Sequence, residues 1–312
     1  MRILFWGKGD RGQACLKRIL ADGFDVVGVI AQNEESDSGP YLGLQTQAKQ
    51  ANIPCHVLGD LRAEETVTLV RGFDGELFVL AGYARIIPPA LVALPPMKIV
   101  NLHGGKLPEY RGTAPIPWQI INGETTLGVT ILYADEGIDT GDILMEATFE
   151  ISPEAGATEA THHTLQLFPD MLSFVLRGLR DGSLRGRHQD LRAGSYYTKR
   201  QPEDGLLDCR LMSAEYIFNM IRGLRDPYPG AFAYRGAEKV VLQRARLLEE
   251  NIFGVPGVIP LKRPDGVVLI AGDRGLLLTE VRGEGGKIIP ARDVFKVGDR
   301  LLPQPTDAPT KS

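Results

Sequence analysis

Cysteines are few in this chain and long apolar runs are missing, and each shortage excludes a class of protein. Only three cysteines occur among 312 residues, and Cys15, Cys55 and Cys209 are too scattered to suggest a disulfide framework. No run of about 18 apolar residues is present, so the sequence predicts no membrane-spanning helix. The start, MRILFWGKGDRG, lacks the apolar core of a signal peptide. We therefore expect a cytoplasmic protein with no membrane partner.

An excess of positive charge is also missing. Lysine and arginine number 35 against 39 aspartates and glutamates, which gives a net charge of −4 at pH 7. Proteins that collect on phosphate backbones usually carry a basic excess. The charge balance therefore predicts that nucleic acid is not a partner.

Apolar segments alternate with helical patterns in the first part of the chain. The segments RILFW, DVVGVIA, GELFVLAG and KIVNLHG are short and continuous in their apolar character. This alternation predicts an α/β fold, with a Rossmann-like, mostly parallel sheet covered by helices on both faces. A longer helix is predicted over 155–179. Its apolar side comprises Leu165, Phe168, Leu172, Val175 and Leu176.

Short β-like runs between glycine and proline turns fill the last third of the chain. They include KVVLQRARLL, GVVLIAG and GLLLTEV, and they predict a small β-barrel-like domain of the OB type. We expect a catalytic domain over 1–190, a linker over 191–205, a β-rich domain over 206–303 and a disordered tail over 304–312. Basic and acidic residues alternate in the β-rich domain, so we expect a structural role or a homodimer contact for it.

The glycines near the amino terminus allow two interpretations. Gly7, Gly9 and Gly12 form a G-x-G-x-x-G pattern between a strand and a helix, with Glu34 and Glu35 about twenty residues later. This is the arrangement of a dinucleotide-binding turn, and it predicts an NAD-linked oxidoreductase as one alternative. The other interpretation is a tight strand-to-helix turn, or a loop that faces a different phosphate ligand.

An asparagine and a histidine follow a strand-like run at 98–102. Residues i and i+2 of a strand point to the same face, so Asn101 and His103 should project together from the carboxyl end of the sheet. Gly104 and Gly105 would let a ligand approach the backbone closely. Each polar residue also has a structural interpretation, as a loop cap or as a buried histidine that only supports the fold.

A second strand, 129–133, leads into a loop rich in aspartate and glycine. The aspartates are spaced D-x-x-x-D-x-x-D, which does not match the alternating carboxylates of an EF-hand. We therefore predict no metal site, and an ordinary turn is the plain alternative. Asp139 of this loop, placed beside His103, would set the tautomer of the ring and raise its basicity.

An asparagine, a histidine and an aspartate are sufficient for acyl transfer to an amine. The amine is itself the nucleophile, so a catalytic cysteine or serine is not needed. His103 would manage the proton of the attacking nitrogen, and Asn101 would donate to the developing oxyanion. Asp139 would orient and stabilise the imidazolium.

Four separated motifs resemble those of the folate-dependent formyltransferases, which move a formyl group from N10-formyltetrahydrofolate to an amine. The motifs are Asn101-Leu-His103, Leu107-Pro-Glu-Tyr-Arg-Gly112, Gly128-Val-Thr130 and Asp135-Glu-Gly-Ile-Asp-Thr-Gly141. The resemblance covers residues 1 to about 230. It implies that Asn101, His103 and Asp139 form the catalytic triad.

The resemblance also implies where the folate binds. The formyl donor would be N10-formyltetrahydrofolate, and tetrahydrofolate would be released. The backbone of Ile86, Ile87 and Pro88 would read the pterin edge, and a loop would close over the ring. That loop comprises Asp135, Glu136, Gly137 and Ile138. A folate-binding protein without turnover is an alternative, although the complete triad argues against it.

The acceptor is predicted from departures from the methionyl-tRNA enzymes of this family. Residues 31–48 hold Glu34, Glu35 and Asp37 but no lysine or arginine. The methionyl-tRNA enzymes of the family are similar here except that this loop is longer and basic. The loop after the histidine reads Gly-Lys-Leu-Pro, where tRNA enzymes usually read Ser-Leu-Leu-Pro. Lys106, together with Trp118, resembles the sugar N-formyltransferases of surface polysaccharide synthesis. We therefore expect a nucleotide-linked amino sugar as acceptor, with methionyl-tRNA as the alternative.

Four residues are predicted to contact this acceptor. They are Gly9, Arg11, Lys106 and Tyr110. Lys106 would meet the diphosphate as a mobile point charge. Its plain alternative is a solvated lysine at the surface.

Overall fold

The chain is described from a computed structural model that covers residues 1–32 and 41–305. The acidic residues Glu34, Glu35 and Asp37 and most of the predicted tail lie outside the described residues. Contacts divide the chain into two units. The first comprises Met1–Pro115, Gly128–Phe149 and His162–Tyr197. The second comprises Ile116–Leu127, Glu150–Thr161 and the chain from Thr198 onwards.

A seven-stranded sheet forms the centre of the first unit, and its strands follow the order β3-β2-β1-β4-β5-β7-β8. The pairs among β1 to β5 are parallel, and β7 runs antiparallel to β5. This confirms the predicted mostly parallel α/β fold. A two-stranded sheet pairs β6 with β9. The strands are β1 (Arg2–Gly7), β2 (Asp25–Ala31), β3 (Cys55–Val57), β4 (Leu77–Ala81), β5 (Ile99–His103), β6 (Arg111–Gly112), β7 (Thr126–Ala134), β8 (Ile143–Glu150) and β9 (Tyr196–Tyr197).

Apolar side chains cover both faces of the large sheet. On β1, Ile3 and Phe5 join an apolar cluster on one face, and Leu4 and Trp6 join a separate cluster on the other. Side chains of a strand alternate between faces, so a strand buried on both sides reads as a continuous apolar run. The helices of this part of the chain are α1 (Gly9–Ala21), α2 (Tyr41–Gln50), α3 (Glu64–Gly72), α4 (Pro89–Val92), α5 (Pro115–Ile121), α6 (Ala157–Asp181) and a 3-10 turn (Leu191–Ala193).

Helix α6 corresponds to the long helix predicted over 155–179. Phe168, Leu172, Val175 and Leu176 of its predicted apolar side are buried, and Leu165 is partly buried. Among the described residues, no helix combines the length and the apolar character that crossing a membrane requires.

The second unit contains a six-stranded antiparallel sheet, in agreement with the predicted small β-rich domain. Its main path is β10-β11-β14-β13-β12, and β15 pairs with β14. The elements are α7 (Ala214–Gly223), β10 (Ala231–Arg235), β11 (Glu238–Leu247), β12 (Leu261–Arg263), β13 (Gly266–Ile270), β14 (Gly275–Arg282), β15 (Ile288–Pro290), α8 (Ala291–Val294) and 3-10 turns at Pro202–Gly205 and Glu284–Gly286.

A buried arginine joins α7 to the two early segments of the second unit. The Arg222 guanidinium donates to the carbonyl of Ala155 at 3.0 Å and to that of Ile120 at 3.4 Å. Burial lowers the pKa of Arg222 to about 10. These bonds explain why Ile116–Leu127 and Glu150–Thr161 belong to the second unit although they precede residue 190. The units therefore do not follow the chain linearly, and the predicted boundaries at 190 and 205 stay predictions.

Phe168 provides a test of the core beneath α6. Its ring is fully buried, and the Arg11 guanidinium carbon lies 4.8 Å from the ring centroid. Phe168→Ala should lower the free energy of unfolding by about 3–5 kcal/mol, because a cavity replaces the ring. Phe174→Ala is the matched control on the same helix, since Phe174 is 60% exposed. Urea unfolding measures both, and an equal loss in the two variants would contradict this assignment of the core.

Candidate active site

Asn101 and His103 lie at the carboxyl end of β5, between β4 and β7. His103 is buried, with 5% of its surface exposed, and Asn101 is partly buried. Burial of a histidine removes its ring from water, so the ring depends on protein atoms for its hydrogen bonds. The end of β5 therefore holds two polar side chains whose hydrogen bonds depend on the protein groups around them.

Asp139 reaches these side chains from the loop between β7 and β8. Its Oδ1 lies 3.4 Å from Asn101 Nδ2, and its Oδ2 lies 3.4 Å from His103 Nδ1. The Gly112 backbone N–H donates to the same Oδ2 at 2.9 Å. The three residues predicted as a triad are therefore brought together, although Asp139 lies 36 positions after His103 in the sequence.

Both ring nitrogens of His103 face an acceptor. Its Nε2–H donates to the Tyr110 carbonyl at 2.6 Å, which leaves Nδ1, beside Asp139, with the lone pair of the neutral ring. Burial lowers the pKa of His103, and the Asp139 carboxylate and the Tyr110 carbonyl offset part of this effect. Because Nε2–H is bonded to Tyr110, a proton that the ring accepts goes to Nδ1, where the Asp139 carboxylate stabilises it.

Gly105 makes room for the hydrogen bond between His103 and Tyr110. A Cβ atom at Gly105 would lie 2.8 Å from His103 Nε2 and 2.8 Å from the Tyr110 carbonyl oxygen. The Gly105 carbonyl accepts a hydrogen bond from Thr130 Oγ1 at 2.8 Å, and Thr130 lies opposite His103 in the pairing of β5 with β7. Strand β7 therefore fixes the loop that carries the histidine's partner.

The loop between β7 and β8 is held by its own first carboxylate. Asp135 Oδ1 accepts from the Gly137 backbone at 3.0 Å and from Thr140 Oγ1 at 2.6 Å. Such side-chain bonds replace the backbone bonds that an exposed loop lacks. Asp135 thus shapes the loop that presents Asp139.

A cavity of about 710 Å³ opens beside the triad in the first unit. Its volume is within the range of small-molecule sites. The Ile86 side chain is 80% exposed and that of Ile138 is 47% exposed, so both offer apolar surface to a ligand. All seven predicted cofactor-binding residues line this cavity, together with Asn101 and Asp139. They are Ile86, Ile87, Pro88, Asp135, Glu136, Gly137 and Ile138.

Two of the four predicted acceptor-binding residues have structural partners in the loop after His103. Lys106 Nζ forms an ion pair with Glu109 at 2.9 Å. The buried Tyr110 ring stacks on Tyr197 at 5.1 Å between centroids. Tyr110 therefore serves the site through its carbonyl, and the charge of Lys106 is balanced by a neighbouring carboxylate.

The other two lie in the turn at the start of α1. Gly9 begins the helix with φ of 60°, and the positive charge of Arg11 contributes to the lowered pKa of His103. A Cβ atom at Gly12 would lie 3.2 Å from the Gly7 backbone, so the turn is tightly packed. None of the four predicted acceptor residues lines the described cavity.

Sequence reasoning missed three supporting groups. The Gly112 N–H and the Thr130 hydroxyl lie inside motifs that were recognised, but the sequence does not reveal what they bind. Gln189 donates to the Asp139 carbonyl at 3.1 Å, and it lies in a polar segment that resembles a connector. A buried glutamine among exposed turn residues has no periodic signal that would reveal it.

Comparison with known proteins identifies relatives over nearly the whole chain. The methionyl-tRNA formyltransferase of Solibacter usitatus is 33% identical over 305 residues, which cover 96% of this chain and 96% of that protein. Seven further bacterial relatives carry the same name, at 29–32% identity over at least 92% of this chain.

Solved structures with the same fold are more distant in sequence. HypX from Aquifex aeolicus in complex with tetrahydrofolic acid has a TM-score of 0.61 at 21% identity, and the match covers 94% of this chain and 46% of HypX. An N-formyltransferase from Helicobacter canadensis, in complex with folinic acid and dTDP-3-aminofucose, has a TM-score of 0.66 at 18% identity. That match covers 88% of this chain and 98% of the other. At these identities the likeness shows the fold alone.

The predicted acceptor, a nucleotide-linked amino sugar, is wrong. Relatives that match along the whole chain at 29–33% identity are methionyl-tRNA formyltransferases, whereas the sugar enzyme is alike only in fold. The charge argument behind the prediction also weakens, because Lys106 is paired with Glu109. The acidic residues that argued against tRNA, Glu34, Glu35 and Asp37, lie outside the described residues.

Two family matches cover both parts of the chain. Residues 1–176 match the family described as "Formyl transferase", and residues 199–298 match "Formyl transferase, C-terminal domain". The first match alone spans more than half of the chain, and it contains the triad and the cavity. Enzymes of this family use formyl-tetrahydrofolate, and the match gives no support to an NAD-linked oxidoreductase. The chain belongs to the formyl transferase family.

Proposed function

We propose that this enzyme transfers a formyl group from N10-formyltetrahydrofolate to the amino group of methionyl-tRNA. One observation carries the choice of acceptor: relatives with this name match the chain over 96–97% of its length at 32–33% identity. The absence of a protein nucleophile from the triad suits an acceptor that brings its own amine. The expectation that nucleic acid is not a partner is abandoned with the sugar acceptor.

The folate is proposed to bind in the cavity beside the triad. Ile86 and Ile138 offer exposed apolar side chains for a flat ring, and Pro88 stiffens the backbone between Ile87 and the start of α4. The backbone of Ile86 and Ile87 would pair with the polar edge of the ring. An apolar slot with a few polar groups is the usual form of a site for such a ligand.

The chain's own residues supply binding, orientation and proton transfer. N10-formyltetrahydrofolate, when bound, supplies the formyl carbon that the amine attacks. Asn101 Nδ2 donates toward the formyl oxygen, on which negative charge develops. His103 accepts at Nδ1 the proton that the amine loses, and Asp139 Oδ2, 3.4 Å from Nδ1, stabilises the imidazolium. When the bond between the formyl carbon and N10 breaks, His103 returns this proton to N10, so that tetrahydrofolate leaves with a neutral amine.

The net charge of −4 is compatible with a tRNA acceptor, because carboxylates of the second unit are neutralised by ion pairs while some of its exposed cations are not paired. Several of its carboxylates form ion pairs with arginines, such as Glu280 with Arg244 and Glu250 with Arg263. Six exposed cations of this unit take no part in the ion pairs found among the described residues. They are Lys199, Lys239, Lys262, Lys287, Lys296 and Arg300. Local cations of this kind attract phosphates whatever the overall charge.

The acceptor is tested directly with purified enzyme and N10-formyltetrahydrofolate. Methionyl-tRNA should be formylated, while free methionine and the same tRNA without methionine should not. Binding of the tRNA should weaken by at least about tenfold between 50 and 200 mM salt, since phosphate contacts release counterions. Turnover with a dTDP-linked amino sugar and none with methionyl-tRNA would disprove the proposed acceptor.

The role of the histidine is tested by its removal. His103→Ala should lower kcat by about 10²–10⁴, because the amine loses its proton acceptor. His162→Ala is the matched control, since His162 is exposed on α6 and hydrogen-bonds only Gln166 in the described contacts. Single-turnover kinetics and a urea unfolding curve separate chemistry from stability. Near-normal kcat in a folded His103→Ala enzyme would remove the histidine from the mechanism.

The space at Gly105 gives a second test. Gly105→Ala should lower kcat by about 10², because the added methyl displaces the His103 ring from the Tyr110 carbonyl and small misplacements are costly. Gly72→Ala is the control, because a Cβ atom at Gly72 meets no atom within 4 Å. If both variants kept wild-type kcat, the contact between His103 and Tyr110 would be irrelevant to turnover.

A further inference from the structure

Residues 187–197, here called the strap, cross both loops of the active site within the first unit. Arg187 and Ile143 exchange two backbone hydrogen bonds of 2.8 Å, at the end of the Asp139 loop. Ser195 N–H donates to the Pro108 carbonyl at 3.2 Å, and the Arg111 N–H donates to the Ser195 carbonyl at 3.2 Å. The strap thus pairs with the loop that follows His103 as well as with the loop of Asp139.

The strap lies outside both family matches, which end at residue 176 and begin at residue 199. Its last part, from 191, lies in the segment predicted to be a linker. In the structure it contains β9, which pairs with β6, and Tyr197, which stacks on Tyr110. The contacts make this segment part of the site's support.

Gln189 is the most buried residue of the strap, with 1% of its surface exposed. Its Nε2 donates to the Asp139 carbonyl at 3.1 Å and to the Gly141 carbonyl at 2.6 Å. The opposite orientation of the amide would place its oxygen against two carbonyl oxygens, so these contacts fix which end faces the loop. Both amide hydrogens are therefore donated to backbone carbonyls of one loop.

Packing alone does not account for an amide at this position. The Gln189 Oε1 atom is buried and has no hydrogen-bond partner among the described residues. A buried acceptor without a partner has lost its hydrogen bonds to water and gained none in return, which is a cost to stability. An apolar side chain of equal length would avoid this cost, so the two donated bonds are the feature that distinguishes glutamine here.

The backbone that these bonds hold is in an unusual conformation. Asp139 has φ of 54°, in the left-handed region that non-glycine residues seldom adopt. From this backbone conformation its carboxylate reaches Asn101 and His103, and it accepts a hydrogen bond from the Gly112 N–H. A loop in such a conformation needs external bonds to remain there.

We propose that Gln189 is a positioning residue for formyl transfer: its amide holds the Asp139 backbone so that the carboxylate stays beside His103 and Asn101. Gln189 does not line the cavity, and it acts on the site through the backbone of Asp139 and Gly141. The proposal rests on the proposed function for the reaction that is measured. Its structural core concerns only the distance between Asp139 and His103.

The first variant is Gln189→Met, which keeps the length of the side chain and removes both donors. We expect kcat to fall about 10- to 100-fold with little change in the KM for tRNA, since misplacement by about 1 Å has costs of this size. Gln243→Met is the matched control: Gln243 is also buried, at 7% exposure, but it lies in the second unit on β11. It should lose stability without losing kcat.

The second variant is Gln189→Glu, whose carboxyl group can donate only when it is protonated. The ratio of variant to wild-type kcat should therefore rise as the pH falls. A purely structural role would give a constant ratio across the pH range in which both proteins stay folded. This variant also keeps the test available if Gln189→Met does not fold.

A readout without any acceptor separates this proposal from the proposed function. The imidazole of His103 is followed by NMR titration, with its signals assigned from His103→Gln. In Gln189→Met the pKa of His103 should fall below its wild-type value, as it should in Asp139→Asn, because the stabilising carboxylate is displaced or lost while Arg11 remains.

A changed titration with no turnover of methionyl-tRNA by the wild type would support Gln189 and refute the acceptor. Wild-type kcat in Gln189→Met, or a reduced kcat with an unchanged His103 titration, would overturn the positioning role.

Discussion

The active site depends on one carboxylate that must reach the end of a strand from a distant loop. Asp139 contacts His103, Asn101 and the Gly112 N–H, so each of its neighbours comes from a different part of the chain than the loop itself. In a buried setting an unpaired polar group is costly and a complete network is rigid. How accurately Asp139, His103 and Asn101 are placed relative to one another therefore depends on how firmly the Asp139 loop is anchored.

The sheet explains why this meeting point is also where a ligand fits. Strand β5 has a parallel neighbour, β4, on one side and an antiparallel neighbour, β7, on the other. The segment that follows β4 leaves the sheet at the carboxyl end of β5, whereas β7 ends opposite Ile99, at the start of β5, and the loop that follows it folds back to bring Asp139 beside His103. The cavity is lined by Ile87 from the first segment and by Ile138 from the second. Open α/β sheets usually bind ligands at the carboxyl ends of their parallel strands, where Asn101 lies.

The sheet and the position of the triad residues on it could be predicted from the sequence, because both depend on short-range patterns of residues. The alternation of apolar strands and helices indicated the sheet, and the spacing of Asn101 and His103 placed them on one face of β5. The partners of Tyr110 and Lys106 could not be read in this way, since stacking on Tyr197 and pairing with Glu109 depend on how loops fold back. The acceptor was misjudged because composition reports total charge, whereas a partner meets a local surface.

The second unit is built from segments that are far apart in the sequence, and this has a consequence for folding during synthesis. Helix α5 leaves the ribosome early, yet Ile121 packs in a core with Ile217 of α7 and Leu278 of β14. Those partners are synthesised about a hundred residues or more later, so the apolar face of α5 stays exposed until they emerge. Nascent chains that stall between residues 139 and 217 are therefore ones we expect chaperones to bind, although all three triad residues of such chains have already been synthesised.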